Sequence, residues 1–391
     1  MNITYFHYVY GQDGASHHVR QFAEAVKSLG HSISVHAMNL APTENGSTRN
    51  RVRNTLKRKL SPYLHELKEL AWNPRYILRE SAIVRAEQPD VLLTRHHFLT
   101  ASCLVVAKQT GKPLVLEVNG PACERTTYLD EYFHIPYVGE YLERLTVQGA
   151  AQVVVVSDAL RSHIAKHYDV HTEKLTVSHN GVNCDKFHPG ISGSAVRDQF
   201  GLQGKKVIGF VGSLYRWRGP DLLIEIAKRL AQSQTTAFLL VGDGDEWKVF
   251  RDQLLSLKLQ NSVVFAGRVD HEVLPQFLAA MDVALLPDST FYMSPLKLFE
   301  YMAAGIPTVA PRYDAIEEII SHGETGLLFR PADPESATRC ITLLLNDPEK
   351  RKEMGLAAVR KVTKNFTWRA NAERVISACQ RALGEKSKTE G

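Results

Sequence analysis

The chain has 391 residues, of which 44% are hydrophobic and 23% charged, as in ordinary soluble globular proteins. Its formal net charge of +5 is too small for a dedicated nucleic-acid-binding protein, and no apolar run approaches the roughly 18 residues of a membrane-spanning helix. The five cysteines form no Cys-x-x-Cys pair, which disfavours a zinc site or a disulfide framework and favours a reducing cytosol. The start, Met1 to Phe6, lacks the features of a signal peptide and predicts a core strand.

Short apolar runs alternate with helix-length segments along the first half of the chain. The run Ile3–Tyr10 predicts a strand, the segment Ala15–Leu29 a helix, and the run Ser32–Met38 a second strand. Further strands are predicted at Val91–Leu93, Leu114–Val118 and Val153–Val156. Buried runs separated by helices indicate a parallel sheet in an α/β domain.

A polar, glycine- and proline-containing segment from Asn183 to Lys206 predicts an interdomain linker. The alternation then resumes, and five further strands are predicted: Val207–Gly212, Ala237–Val241, Val263–Phe265, Val283–Leu286 and Thr308–Ala310. A last helix is predicted over Arg369–Leu383, before a frayed polar tail from Gly384. We therefore expect two doubly wound Rossmann-like domains, 1–190 and 191–368, and a C-terminal helix and tail at 369–391 that crosses back to the first domain.

One insertion in the first half is strongly basic. Six basic residues and no acidic residue occur between Arg49 and Lys59, and leucines continue at helical spacing to Leu70, interrupted by Pro62. A basic amphipathic helix can lie on an anionic membrane, so residues 49–70 are a candidate for peripheral membrane contact. The alternative is a solvated helix that packs its leucines on the first domain.

The segment from Ser294 to Pro307 predicts a helix with a ligand site at its start. Ser294 is a good N-cap and Pro295 a good first helical residue, while Gly305 marks the end of the helix. The helix follows a strand, so it opens at the carboxyl edge of the sheet, where α/β domains bind ligands. Its free N–H groups favour a phosphate, and Lys297 in the first turn would add positive charge. Glu300, one turn further, is placed to reach sugar hydroxyls. An ordinary capped helix with an exposed Lys and Glu is the alternative.

This segment resembles the signature of family 4 glycosyltransferases, which have the GT-B fold and retain the anomeric configuration of the donor. Other segments match that family in order: Asn180-Gly181-Val182, Phe187-His188-Pro189, Phe210–Leu214, Arg218-Gly219, Asp221–Ile224, Val241–Gly244, Val264–Arg268 and Phe366-Thr367-Trp368. The Ser-Pro-x-Lys form around Lys297 resembles a branch that is common in bacterial polysaccharide gene sets. The resemblance covers most of the chain and implies two Rossmann-like domains that face each other across a cleft.

The resemblance also implies roles for residues of the second half. Glu300 matches the glutamate that holds the donor ribose, and Arg218 falls where a lysine usually grips the diphosphate; an arginine can do so with a bidentate fork. Arg268 lies where the backbone commonly meets the nucleobase. The donor site then comprises these residues with Gly14, Ser213, Arg216, Tyr292, Ser294, Pro295, Leu296 and Lys297.

In the first half, the resemblance places the glycine turn Gly11–Gly14 near the phosphates and the acceptor. Asn119 follows the strand Leu114–Val118, roughly where many members carry a sugar-contacting histidine. His17 lies beside the glycine turn and is a further candidate for acceptor contact. Asn119, Arg218, Lys297 and Glu300 are the residues for which the resemblance implies a catalytic role.

Two positions depart from the family pattern. Tyr292 stands where the family has its first glutamate, which contacts the transferred sugar, and Ser213 stands where many members have an arginine. Lys297 and main-chain amides near Pro295 are predicted to take over the missing sugar contact, and Arg216 or Lys297 the missing positive charge. The substitutions bear on the choice of sugar rather than on the fold.

The reaction implied is transfer of a hexose, glucose as first choice, from a UDP-sugar to a polysaccharide or lipid-linked glycan. No metal ion or other cofactor is expected. The Asp243-Gly244-Asp245 segment lies in a glycine turn after a strand, which matches the family's turn rather than a metal site. The adjacent histidines His17-His18 and His96-His97 are predicted to point apart, so that neither pair can share a metal ion. The alternatives are a sugar-nucleotide epimerase, a phosphorylase, a non-catalytic nucleotide-sugar-binding protein and an NAD-linked oxidoreductase. The last would need a full Gly-x-Gly-x-x-Gly fingerprint, which Gly11-x-x-Gly14 lacks.

Overall fold

The computed structural model describes residues 1–9, 14–38, 61–121, 135–213, 219–230, 235–243, 245–259 and 262–389. The chain divides into two compact units, Met1–His179 with Asn371–Gly391, and Asn180–Ala370. The division falls just before the segment from Asn183 to Lys206, which was predicted to be the linker. The last 21 residues group with the first unit.

The first unit alternates strands and helices around a parallel sheet. Its elements in chain order are β1 (Asn2–His7), α1 (Gly14–Ser28), β2 (Ser32–Ala37), α2 (Ser61–Glu87), β3 (Val91–Arg95), α3 (Ser102–Thr110), β4 (Leu114–Val118), α4 (Pro136–Gly149), β5 (Gln152–Val155), α5 (Asp158–Tyr168), a 3-10 turn (Thr172–Lys174) and β6 (Leu175–Val177). Among the described residues the strand order is β2-β1-β3-β4-β5-β6, with every pair parallel. The chain passes from β1 to β2 on one side and then to β3 on the other side of β1, so the switch point of the strand order lies between β1 and β3. The carboxyl ends of these two strands therefore border a crevice.

The second unit repeats the plan. Its elements are α6 (Ser194–Gln199), β7 (Lys206–Val211), α7 (Pro220–Leu230), β8 (Thr236–Val241), α8 (Asp245–Ser256), β9 (Val263–Gly267), α9 (Leu274–Ala279), β10 (Val283–Leu285), α10 (Leu296–Ala303), β11 (Thr308–Pro311), α11 (Asp314–Ile319), β12 (Gly326–Phe329), α12 (Pro334–Asn346) and α13 (Pro348–Asn365). The described strands run in the order β12-β11-β10-β7-β8-β9. The switch point therefore lies between β7 and β10.

The predicted alternation is confirmed, and its errors have local causes. The edge strands β6 and β12 were missed; they have three and four residues. The first strand ends at His7 rather than Tyr10. The last helix, α14 (Trp368–Thr389), continues past Gly384, so the predicted end of this helix at Leu383 was wrong. A single glycine costs a helix only about 1 kcal/mol, too little to end one that good helix formers continue.

The basic insertion is described only in its last part. Residues 49–60 lie outside the described residues, whereas α2 begins at Ser61. Pro62 falls in the first turn of α2, where a missing N–H costs nothing, so it does not interrupt a helix there. No described helix is both long and apolar enough to cross a membrane.

Candidate functional site

The carboxyl edge of the second sheet carries the start of α10. Pro295, not Ser294, is the N-cap of this helix, with an extended ψ of 124° and no side-chain cap. Ser294 is engaged elsewhere, because its Oγ accepts a hydrogen bond from the Asn180 backbone N–H at 3.3 Å and its carbonyl accepts one from Asn180 Nδ2 at 2.6 Å. The predicted cap was therefore wrong by one residue. The start of α10 therefore has no side-chain cap, and a helix start favours a negatively charged ligand such as a phosphate.

The far end of α10 is a Schellman motif, as Gly305 predicted. Gly305 has a φ of 73°, its N–H donates to the Met302 carbonyl at 3.1 Å, and the Ile306 N–H donates to the Tyr301 carbonyl at 3.0 Å. The Tyr301 hydroxyl accepts a hydrogen bond from the Val211 N–H at 2.8 Å. This bond ties α10 to the end of β7 and fixes one wall of the switch-point crevice.

Lys297 lies in the first turn of α10, as predicted, and is held against β7. Its Nζ lies 4.3 Å from the centroid of the Phe210 ring, and Phe210 is fully buried. A cation over an aromatic face is stabilised by the ring quadrupole. The contact therefore holds a positive charge at the carboxyl edge of the sheet, where a phosphate would be stabilised.

Glu300 is buried, and its Oε1 lies 2.9 Å from His271 Nε2. His271 follows β9 in a loop and packs edge-on against Phe187, with ring centroids 5.3 Å apart. Sequence reasoning missed His271, because it is 29 positions from Glu300 and belongs to no motif that stood out. The pair fixes the orientation of the Glu300 carboxylate, which leaves its second oxygen for another donor.

The other predicted donor residues are spread around the same edge. Ser213 follows Gly212 at the end of β7, and Arg268 is exposed directly after β9. Tyr292 is buried and packs edge-on against Phe291, with centroids 5.1 Å apart. Pro295 and Leu296 form the partly buried start of α10. Three predicted residues, Gly11, Arg216 and Arg218, lie outside the described residues.

The loop after β10 carries polar groups that the sequence analysis did not select. Asp288 accepts hydrogen bonds from the Ser289 N–H at 2.8 Å and the Tyr313 hydroxyl at 3.1 Å, and burial raises the pKa of the Asp288 carboxyl. Gly219, next to the predicted phosphate grip, lies so close that an added Cβ would be 2.9 Å from Asp288 Cβ. The buried hydroxyls of Ser289 and Thr290 make no hydrogen bond within the described part of the chain. A loop with several buried polar side chains is suited to binding a polar ligand.

Two other family-like segments have structural roles in this unit. Gly181 lies against the backbone of Trp368, where a Cβ would come within 2.5 Å of the Trp368 nitrogen. The next residue, Val182, donates its N–H to the Phe366 carbonyl at 3.0 Å. The segment 180–182 thus joins the chain around Phe366 to the start of α10 through Asn180.

In the first unit, a buried carboxylate organises the carboxyl edge of the sheet. Glu117 on β4 accepts hydrogen bonds from Arg95 Nη1 at 2.9 Å, Asn119 Nδ2 at 2.6 Å and the Tyr5 hydroxyl at 2.5 Å. Its Oε1 also lies 3.4 Å from Nδ1 of His18 on α1. We call these five residues the Glu117 cluster. The cluster holds Asn119, the predicted sugar-contacting residue, in a fixed orientation.

The charges within the Glu117 cluster are settled by burial and by Arg95. Burial lowers the pKa of His18 to about 4, with Glu117 opposing the shift and Arg95 adding to it. His18 is therefore neutral at pH 7, and its Nδ1 accepts a hydrogen bond from Arg95 Nη1 at 2.6 Å. Burial alone would raise the pKa of Glu117, but its electrostatic interactions with the His18 and Arg95 side chains and the hydrogen bonds from Asn119 and Tyr5 hold it below its ordinary value. A buried carboxylate paired in this way stays ionised.

The two remaining predicted residues of the first unit lie on α1. Gly14 is the exposed first residue of the helix, and His17 is partly buried one turn later.

His96 and His97 face different carboxylates, with His96 Nδ1 3.9 Å from Glu143 and His97 Nε2 3.8 Å from Glu69. The prediction that the adjacent pair His96-His97 points apart is thus confirmed.

Comparison with solved structures gives the class of protein. The chain is similar to HepE from Anabaena in complex with UDP, with a TM-score of 0.74, 19% identity and coverage of 97% of this chain and 100% of that one. It is also similar to sucrose-phosphate synthase from Thermosynechococcus elongatus, with a TM-score of 0.78, 19% identity and coverage of 98% and 100%. Two doubly wound parallel sheets in tandem, shared with these enzymes, define the GT-B fold.

Comparison with protein families gives the family. The profile of Glycosyltransferase Family 4 matches residues 12–186, and that of Glycosyl transferases group 1 matches residues 194–361. The chain therefore belongs to the GT-B glycosyltransferases. D-inositol 3-phosphate glycosyltransferase from Corynebacterium urealyticum is 27% identical over 267 residues, which are 65% of this chain and 62% of that protein. The chain thus spans less than two thirds of that relative's length.

Proposed function

We propose that this chain is a retaining hexosyltransferase that uses a UDP-sugar, with glucose as the transferred sugar. The observation that carries the proposal is the start of α10 at the carboxyl edge of the second sheet, which has no side-chain cap and carries Lys297 in its first turn. HepE, which has the same fold, has been crystallised with UDP-glucose, and this supports the choice of donor. The acceptor in this proposal is a polysaccharide or lipid-linked glycan.

The reaction breaks the bond between the anomeric carbon and the β-phosphate oxygen, and the electron pair leaves with the phosphate. The acceptor hydroxyl oxygen bonds to the anomeric carbon on the same face, and its proton passes to the leaving phosphate. The dipole of α10 and the charge of Lys297 stabilise the negative charge that develops there. Arg218 is proposed as a second cation on the diphosphate. No metal ion and no covalent enzyme intermediate enter this scheme.

Glu300 is proposed to hold the ribose hydroxyls of the donor. Its bond to His271 uses one oxygen and fixes the plane of the carboxylate, so that the other oxygen is presented in one direction. A carboxylate that is oriented before binding loses less side-chain entropy when the ligand arrives. The backbone at Arg268 is proposed to meet the uracil. Asn119, held by Glu117, is proposed to contact the sugar, and His17 and the turn Gly11–Gly14 to contact the acceptor.

The donor is identified by its effect on stability. A thermal-shift panel of UDP-, GDP-, ADP- and TDP-sugars should show the largest rise in melting temperature with UDP-glucose, because a ligand that binds the folded state raises stability. A larger rise with any other nucleotide-sugar would overturn the choice of donor. Incubation with UDP-glucose and membrane extracts, followed by NMR of the product, should show an α-linkage. A β-linked product would exclude the retaining mechanism.

The role of Lys297 is tested by Lys297→Ala, with Lys228→Ala as the matched control. Lys228 is an exposed lysine of the same unit that pairs with Glu225 on the surface of α7. Turnover should fall by about 10² in Lys297→Ala, as expected when a preorganised charge-stabilising group is lost, and should be unchanged in Lys228→Ala. Unchanged turnover in Lys297→Ala would refute the role. If both proteins bind UDP-glucose and neither releases product, the chain is a nucleotide-sugar-binding protein rather than an enzyme.

We place the enzyme in the cytoplasm, at the inner face of the membrane where lipid-linked acceptors lie. The basic residues between positions 49 and 70 support this location, because polybasic segments are attracted to anionic lipids.

A further inference from the structure

The connection from β10 to α10 holds a carboxylate at the switch point of the second sheet. Asp288 lies three residues after the end of β10 at Leu285. Gly219, in the connection from β7 to α7, packs so closely on it that an added Cβ would come within 2.9 Å of Asp288 Cβ. Because β7 and β10 flank the switch point, Asp288 lies where the connections from these two strands meet, and doubly wound domains bind ligands there.

Two donors orient the Asp288 carboxylate through one of its oxygens. Oδ1 accepts hydrogen bonds from the Ser289 N–H at 2.8 Å and from the Tyr313 hydroxyl at 3.1 Å. Burial and the charge of Asp288 raise the pKa of Tyr313 to about 12, so this hydroxyl is protonated at neutral pH and donates. Within the described part of the chain, Asp288 Oδ2 accepts no hydrogen bond. The carboxylate is therefore fixed in its plane with one oxygen available to a ligand.

Two buried hydroxyls follow Asp288 directly. Ser289 and Thr290 are each 6% exposed, and their hydroxyls make no hydrogen bond to the described residues. A buried hydroxyl costs free energy unless a partner satisfies it. Three consecutive residues thus offer one carboxylate oxygen and two hydroxyls, which are the kinds of group that orient a polar ligand in a pocket.

The connection that carries these groups is tied down along its length. Its start is held by the bond from Tyr313 to Asp288. In its middle, the Phe291 carbonyl accepts a hydrogen bond from the Ala315 N–H at 3.2 Å. Near its end, the Ser294 carbonyl is bound by Asn180 Nδ2, as described above. Polar groups on a connection held in this way are oriented before a ligand arrives.

The chain lacks another acceptor for a sugar hydroxyl in this connection. Tyr292, where the family resemblance places a sugar-contacting glutamate, is 2% exposed and packs edge-on against Phe291. Lys297, the sequence-based candidate for the missing contact, is held over the Phe210 ring, and its ammonium can only donate hydrogen bonds. Asp288 is the only acidic residue between β10 and α10. A hydroxyl that donates to an ionised carboxylate makes one of the stronger hydrogen bonds.

We propose that Asp288 binds a hydroxyl of the donor sugar and takes the place of the absent glutamate. The sugar hydroxyl donates to Asp288 Oδ2, and the hydroxyls of Ser289 and Thr290 line the same subsite. Tyr313 is a positioning residue, since it acts only through the carboxylate that it orients. This inference rests on the proposed function, because it assigns the sugar subsite of the same donor site.

Calorimetry of the full chain with UDP and with UDP-glucose separates the sugar contact from the nucleotide contacts. Asp288→Asn keeps the size of the side chain and an acceptor for Tyr313, but it removes the charge. The ratio of the dissociation constants for UDP-glucose and UDP should rise about tenfold, because a hydrogen bond to a charged group is lost, and the affinity for UDP should be unchanged. Tyr313→Phe should raise the ratio about threefold, since one of the two orienting bonds is lost.

The matched control is Asp314→Asn, which alters an exposed carboxylate at the first residue of α11 and should leave the ratio unchanged. Monodeoxy analogues of UDP-glucose identify the hydroxyl that Asp288 binds. The analogue that lacks this hydroxyl should bind wild type about tenfold more weakly than UDP-glucose does. It should bind Asp288→Asn as UDP-glucose does, because the contact is already lost in that variant.

An unchanged ratio in Asp288→Asn overturns the inference and leaves the proposed function intact. An equal loss of affinity for UDP and UDP-glucose also overturns it, because a merely structural role would produce that result. If wild type prefers another nucleotide-sugar, the same ratio is measured with that donor and its nucleotide. If wild type binds no nucleotide-sugar, the proposed function fails and this inference fails with it.

Discussion

Removal of the Glu117 carboxylate should destabilise the first unit more than removal of a more exposed carboxylate that accepts a similar number of hydrogen bonds. Glu117→Ala deletes the acceptor of three hydrogen bonds and leaves Arg95, whose side chain is 16% exposed, without its counter-charge. Breaking one side of a buried ion pair costs about 3–5 kcal/mol. Because Arg95 retains some access to water, we expect about 3 kcal/mol.

A double-mutant cycle with Arg95→Met separates the ion pair from the rest of the cluster. Each single change leaves one buried charge unpaired, whereas the double change leaves none. The loss in the double variant should therefore be smaller than the sum of the two single losses by about 2 kcal/mol. Hydrogen exchange of the β1 and β4 amides measures this, because it reports the opening free energy of those strands.

Glu87→Ala is the matched control for this cycle. Glu87 also accepts hydrogen bonds from sheet side chains, Thr4 and Ser34, and pairs with His36, but its side chain is 29% exposed. Its loss should cost about 1 kcal/mol, as for an exposed pair. A coupling energy below about 0.5 kcal/mol between Glu117 and Arg95, or equal losses in Glu117→Ala and Glu87→Ala, would refute the reasoning.

Three further predictions follow from single contacts. Burial raises the pKa of Glu80 to about 7, so the protonated Glu80 side chain contributes stability that is fully present below the unfolded-state pKa and is lost as the pH rises through 7. The free energy of unfolding of Glu80→Gln, measured by thermal or urea unfolding, should therefore increase by about 2 kcal/mol relative to that of wild type between pH 5 and pH 8. His271→Ala should weaken UDP binding about tenfold by calorimetry, since Glu300 loses the partner that orients it. Gly139→Ala should cost about 1–3 kcal/mol in thermal unfolding, because the new methyl overlaps the Phe98 ring.

Each of these predictions has a specific contrary result. A pH-independent difference between wild type and Glu80→Gln would show that Glu80 does not titrate in this range. His188→Ala, which alters an exposed histidine next to Phe187, is the control for His271; equal losses of UDP affinity would exclude the orienting role. In the Phe98→Ala background, Gly139→Ala should lower the free energy of unfolding by less than it does in wild type, because the ring that the new methyl overlaps is gone. If the losses of stability from the two changes are simply additive, the overlap is contradicted.

The sequence alone predicted the fold class, which is confirmed, and it predicted a donor site at the start of α10. Apolar runs at strand length, with helical segments between them, follow from local periodicity, and this predicted the central strands of both sheets. The glycine end of α10 was equally predictable, because a φ of 73° at Gly305 is a local backbone requirement. The Ser294 cap was wrong, since the competing contact from Asn180 comes from 114 positions away.

Only the tertiary structure decided which side chains meet. Glu117 and Tyr5 are 112 positions apart, and the parallel order of β1, β3 and β4 brings them together with Arg95. Glu300 gains His271 in the same way, through a loop after β9 that carries no motif of its own. The hydrophobic periodicity of the sequence predicts whether a residue is buried, but it does not predict which residue of a neighbouring strand it contacts. For that physical reason the sequence could predict at which edge of the sheet a ligand site lies, whereas the fold determined which charged side chains pair with each other there.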